Sequence, residues 1–186
     1  MSVRTRTTPG LIIGLLISFI AGGCVTETTV TTVGQPSQAR VRAIAPAPST
    51  APINDMAILK SIRPLDTDGN GFPNRLEVAV YLFSRPYPMP RFADGSMVFT
   101  MYAPGTYDFV DGATAEPVAA WEFEAEQMST VRIKDVIGEG YALALDLNDL
   151  GISRLPVNST LLVTEFHPES GERVRAGSVQ SIPYTQ

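Results

Sequence analysis

Over the last hundred or so residues the apolar side chains recur at every second position, in short runs broken by Gly, Pro, Asn and Asp. Leu76, Val78, Val80 and Leu82 alternate with Glu77, Ala79, Tyr81 and Phe83, while Met97, Phe99 and Met101 alternate with Val98, Thr100 and Tyr102. Trp121 and Phe123 face one way and Glu122 and Glu124 the other, and Tyr141, Leu143, Leu145 and Leu147 repeat the pattern. Period two is the signature of half-buried strands, since successive side chains on a strand point to opposite faces.

Leu161–Phe166 and Val174–Val179 flank Pro168-Glu169-Ser170-Gly171 and read as a hairpin, and a first strand is expected over Ile58–Leu65. Ile58, Ile62 and Leu65 also fit a helical spacing, but Pro64 pushes the residue before it out of the helical region. Single helical turns are expected at Glu124–Ser129 and Asp149–Leu155. The pattern predicts an all-β domain, an antiparallel sandwich of about seven strands, immunoglobulin-like or C2-like.

The N-terminus has a different character. Met1–Gly10 carries Arg4 and Arg6 and no acid, and Leu11–Ile20 carries no charge. That is the order of a secretory signal. As a helix the apolar run is only about 15 Å long, roughly half the thickness a permanent span must cross. Ala21-Gly22-Gly23-Cys24 resembles the lipobox of bacterial lipoproteins, which implies cleavage after Gly23 and acylation of Cys24. Ala21 and Gly23 also satisfy the small-x-small rule of the ordinary secretory peptidase. The chain's single cysteine, placed at the end of the apolar run, favours lipidation. Two or three acyl chains would anchor the protein stably where one would not. Val25 is non-acidic, which in the lipoproteins this resembles implies release to the outer membrane, on its periplasmic or surface face.

Val25–Ile53 is rich in Thr, Ser, Gln, Ala and Pro, without apolar periodicity to offset its ordering entropy. The expected organisation is a signal peptide over 1–23, a lipidated cysteine and flexible tether over 24–55, and a sandwich over 56–186. Loss of Arg4 and Arg6 moves the formal charge from −5 to −7. An acidic chain with no Lys/Arg-rich run lacks the footprint of a nucleic-acid binder. With Cys24 acylated, no disulfide could form.

One stretch carries candidate chemistry. Asp66-Thr67-Asp68-Gly69-Asn70-Gly71-Phe72-Pro73-Asn74-Arg75-Leu76-Glu77 satisfies D-x-[DN]-x-[DN]-G-x5-E. Calcium requires six to eight oxygens, and alternate side chains of a coiled loop converge when a glycine allows the sharp turn. Asp66, Asp68 and Asn70 would give side-chain oxygens, Phe72 a carbonyl, Asn74 a direct or water-mediated contact and Glu77 two oxygens. The twelve residues resemble EF-hand, dockerin and thrombospondin type 3 loops. Pro73 stands where paired EF-hands join their loops, and strand alternation replaces the outgoing helix, so a helix-opening EF-hand is excluded. The same Asp, Asn and Gly residues also form a turn with no ion, by bonding their own backbone.

Other candidates are weaker. Arg85-Pro86-Tyr87-Pro88-Met89-Pro90-Arg91 should be extended, a stiff crossover between strands or a docking strip. His167 is the sole histidine and no G-x-S-x-G elbow is present, so triad chemistry lacks its parts. Glu122 and Glu124 have the separation of an inverting glycosidase pair, but so does any carboxylate pair two apart on a strand. The layout also resembles secreted bacterial lipoproteins that place a D-x-D-G-x-G-x-P loop before the first long strand, to which no activity attaches. The expected function is therefore a membrane-anchored envelope lipoprotein. It acts as a non-catalytic structural or binding module for an envelope protein or glycan, stabilised by one calcium ion. The alternative is a carbohydrate-binding accessory domain or a small extracytoplasmic hydrolase.

Overall fold

The computed structural model describes residues 44–184. The expected signal peptide, Cys24 and most of the expected tether lie outside the described residues. Eleven strands form: β1 (Asp55–Lys60), β2 (Arg75–Phe83), β3 (Gly95–Tyr102), β4 (Tyr107–Asp108), β5 (Gly112–Ala113), β6 (Ala119–Phe123), β7 (Arg132–Lys134), β8 (Glu139–Asp146), β9 (Ser159–Pro168), β10 (Val174–Arg175) and β11 (Gln180–Pro183). One short helix, α1 (Ala125–Thr130), and a 3-10 turn at Leu147–Leu150 complete the regular structure among the described residues. Seven of the strands have four residues or more, the number the alternation predicts; the rest are two- and three-residue pieces.

All strand pairs are antiparallel, in two main sheets. One has the order β1-β2-β8-β7; the other runs β6-β3-β9, with β10 and β11 both along the outer edge of β9. Lettered in chain order, with the β4–β5 hairpin set aside, this is A-B-E-D on one sheet and C′-C-F-G on the other. That is the immunoglobulin connectivity.

The period-two pattern places the core. Leu76, Val78, Val80 and Leu82 of β2 and Tyr141, Leu143 and Leu145 of β8 face Met97, Phe99 and Met101 of β3 and Leu162 and Phe166 of β9, all 5% exposed or less. Met128 of α1 adds a buried side chain to the same cluster. Trp121 reaches across from β6 and donates its indole N–H to the Asp146 carbonyl at 3.0 Å, tying the sheets together.

Three local readings are corrected. The first strand starts earlier than Ile58–Leu65, because Asp55 already pairs with Phe83, and it ends at Lys60. Ser61 N still donates to Glu77 O at 2.9 Å, but Pro64 has no N–H for a ladder, and the chain next meets β2 at Leu65, through a bridge to Arg75. Residues 48–54, expected in the tether, pack on the sandwich. Ile53 joins the core, and Asn54 donates its N–H to Phe83 O at 3.0 Å. Of the strand expected over Val174–Val179 only Val174–Arg175 forms, as β10, and pairing with β9 resumes beyond it in β11.

The sandwich has two distinct ends. The proximal end, so called because the described residues begin there, holds the segment 44–54, the crossover 84–94, the β7–β8 turn and the β9–β10 connection. The distal end holds the loop 61–74, the β4–β5 hairpin and the 3-10 turn. The Arg85–Arg91 stretch is that proximal crossover, leading from one sheet to the other, with Pro90 laid against Gly138.

Candidate functional site

The Asp66–Glu77 loop is closed by a pair of backbone bonds between Leu65 and Arg75, Leu65 N to Arg75 O at 2.7 Å and Arg75 N to Leu65 O at 3.0 Å. Inside it the acidic side chains cap the loop's own amides. Asp66 Oδ1 accepts from Gly69 N at 2.7 Å and its Oδ2 from Gly71 N at 2.8 Å. Asp68 Oδ1 accepts from Asn70 N at 3.0 Å, and Asn70 Oδ1 from Phe72 N at 2.7 Å. These are nested Asx turns, and they need the left-handed backbone at Gly69 (φ 74°) and Gly71 (φ 81°).

Two residues outside the loop complete it. Asn148, on the 3-10 turn, donates its side-chain amide to Asp68 Oδ2 at 3.1 Å, and Asp146 accepts from Asn74 Nδ2 at 3.0 Å. The backbone N–H of Asn70 and then the Asn148 amide hold the Asp68 carboxyl below its ordinary range. Asn74 is fully buried. Its Oδ1 accepts from Thr67 N at 2.8 Å, and its backbone carbonyl accepts from Leu147 N at 2.9 Å.

The six sequence-predicted ligands are thus divided. Asp66, Asp68 and Asn70 share one exposed loop. Phe72 turns its ring onto Tyr184, with centroids 6.0 Å apart, and Arg154 lies 5.7 Å from the Phe72 centroid. Asn74 faces inward at the loop's base, and Glu77 stands beyond the closing pair on the exposed outer face of β2. Among the described residues no three His, Cys, Asp or Glu side chains gather as for a metal ion. Asp146 and Asn148 were not singled out by sequence reasoning. Their signal was the break in alternation at Asp146-Leu147-Asn148, where an Asp caps a helical turn by accepting from Asn148 N at 3.0 Å.

Glu122 and Glu124 are separated by structure. Glu122 points outward from β6, whereas Glu124 precedes α1 and donates its N–H to Gln127 Oε1 at 2.8 Å. His167 lies on the outer face of β9 with its Nε2 3.3 Å from Glu165 Oε2. Glu165 also accepts from Arg175 at 2.8 Å and 2.6 Å. Burial would raise the Glu165 carboxyl, but bonds from Arg175 and His167 outweigh it and hold the carboxyl below its usual range.

Comparison of the chain with protein-family models, with curated proteins and with solved structures gives no match.

Proposed function

We propose that the chain is a lipid-anchored cell-envelope protein whose sandwich serves as a non-catalytic structural or binding module. The observation that carries the reading is the Leu11–Cys24 sequence, with its apolar run too short to span and its single cysteine at the run's end. Commitment of the polar groups supports the rest. The loop's carboxylates cap its backbone, and Glu165 is held between Arg175 and His167. In cells given radiolabelled palmitate, the wild-type chain incorporates label. Cys24→Ser takes up none and accumulates as uncut precursor. Normal maturation of that variant would mean ordinary secretion.

The loop supports a second proposal, a weak calcium site. A side-chain oxygen that accepts one N–H keeps a second lone pair, so both Asp66 oxygens, Asp68 Oδ1 and Asn70 Oδ1 can cap the turn and still face an ion, whereas Asp68 Oδ2 already takes N–H groups from Asn70 and Asn148. Extracellular sites of this kind bind at about 10⁻⁴ to 10⁻³ M. Calcium in excess should raise the melting temperature of the full chain by about 3 °C or more over a chelator. Asp66→Ala should remove the difference, and identical melts of the wild type would leave the loop an ion-free turn.

A further inference from the structure

The hairpin joining β7 to β8 turns on Asp135-Val136-Ile137-Gly138, and its backbone is firmly fixed. Asp135 N donates to Gly138 O at 3.0 Å. Asp135 Oδ1 accepts from Ile137 N at 2.8 Å and Gly138 N at 3.2 Å, and Oδ2 accepts from the Tyr81 hydroxyl at 2.6 Å. The two residues held at the tip are nevertheless apolar. Val136 is 102% exposed and Ile137 38%. Turn positions favour Gly, Asn, Asp, Ser or Pro for reasons of backbone geometry, and β-branched side chains share none of them.

The surroundings of the tip narrow its partner. Met89, 38% exposed, reaches the same turn from the crossover loop, and a methyl on Gly138 would lie 3.6 Å from its Cε. Charge is already spent there. Lys134 pairs with Glu139 at 2.8 Å, and Asp135 is occupied by the turn and by Tyr81. An apolar tip beside the remaining Asp135 carboxylate offers nothing to nucleic acid or to an acidic peptide. The position of the chain supplies the occupant. Pro46 and Ala47 line an open cavity of about 550 Å³ together with Met89, Lys134 and Gly138, so the described chain starts beside this turn. Cys24 lies twenty residues before Ile44. A tether of that length, flexible as its Thr- and Pro-rich composition implies, would span about 25 Å and would give the tip an effective concentration on the order of millimolar at an anchoring membrane.

We propose that Val136 and Ile137, with Met89 beside them, rest in the headgroup–acyl boundary of the membrane that holds the anchor. This rests on the lipoprotein reading. A contact of this kind is apolar and insensitive to salt, and it turns the proximal end of the sandwich toward the bilayer.

The molecule carries its own control. At the β4–β5 turn Asp108 Oδ1 accepts from Val110 N at 2.7 Å and Asp111 N at 3.0 Å, and holds out Phe109 and Val110, 47% and 89% exposed. That tip has the same design and sits at the distal end. The full-length lipidated protein is reconstituted into vesicles of phosphatidylethanolamine and phosphatidylglycerol doped with a brominated-acyl phospholipid. Val136→Trp and Val110→Trp are compared over the Trp121 background. The Val136→Trp indole should lose about half its added emission and shift to the blue, as expected for a side chain about 5–10 Å into the interface, while Val110→Trp is unchanged. Protein that floats with the vesicles but shows no quenching at residue 136 overturns the tip contact and leaves the anchor standing. Protein that does not float overturns both. Equal quenching at the two tips overturns the contact as well. So does a blue shift at residue 136 that grows with protein concentration in the absence of vesicles, which would mean self-association.

Discussion

Asn74 shows how much a single side chain can hold in place. It is wholly buried, and its amide serves the Thr67 backbone, the Thr67 hydroxyl and the Asp146 carboxylate at once. Asn74→Ala strips partners from buried groups on both sides, and a cost of about 2 kcal/mol is expected, read as a lower urea midpoint with an unchanged slope. The loss should be the same in calcium and in chelator, because the clamp is made of protein groups alone; a loss seen only in calcium would assign Asn74 to the ion. The twelve-residue pattern made Asn74 visible as a loop residue. Its role as a clamp was not legible, because Asp146 is 72 residues away in sequence. Phe72 is similar. The pattern assigns it a carbonyl, whereas its ring stacks on Tyr184 at the other end of the chain.

At the scale of elements, strands whose two faces differ were legible and strands interrupted by backbone chemistry were not. β2, β3, β8 and β9 fall where the alternation puts them. β1 is displaced toward the N-terminus because its register is set by pairing with Phe83. Tyr81 is a further departure. It belongs to the outward set of β2 yet is only 2% exposed, and its hydroxyl ties β2 to the β7–β8 turn. Gly140 makes room for it, since a Cβ there would meet the Tyr81 ring at 2.8 Å. The bond to Asp135, followed by burial, pushes the Tyr81 phenol up to about 12, and the same bond holds Asp135 below its ordinary range. A raised phenol contributes stability that is complete below its unfolded value of about 10 and is lost as pH climbs through about 12. A depressed carboxyl contributes stability that is present above its unfolded value of about 4 and is lost as pH falls through the folded one. Tyr81→Phe should therefore cost about 1 kcal/mol between roughly pH 4 and 10, with the gap to the wild type narrowing outside that window. A gap that stays constant across the whole range would assign the loss to packing.

For the whole molecule, the sandwich was legible because both sheets bury one face, so the alternation had to survive in the sequence. The limits of the domain were not, because proline-rich composition hides a segment that docks through its backbone. Ser84 Oγ and Arg91 both donate to the Ala51 carbonyl, Asn54 Oδ1 accepts from Arg85 N at 2.8 Å, and Ile53 reaches the core. A chain beginning at residue 44 should melt close to the full-length protein. One beginning at residue 56 should lose about 3 kcal/mol with the Ile53 side chain and these bonds. Equal melting temperatures for the two would put residues 44–55 outside the folding unit.

The divided last strand has a consequence for life at close quarters. A long free edge invites a neighbouring copy to continue the sheet. Here the rim beside β9 stops at Arg175 and resumes at Gln180, and one rim of the opposite sheet is the three-residue β7, which leaves β1 and β6, six and five residues long, as the continuous edges. Copies crowded together would find no uninterrupted row of amides beside β9 or along β7, so any continuation of a sheet would have to start from β1 or β6.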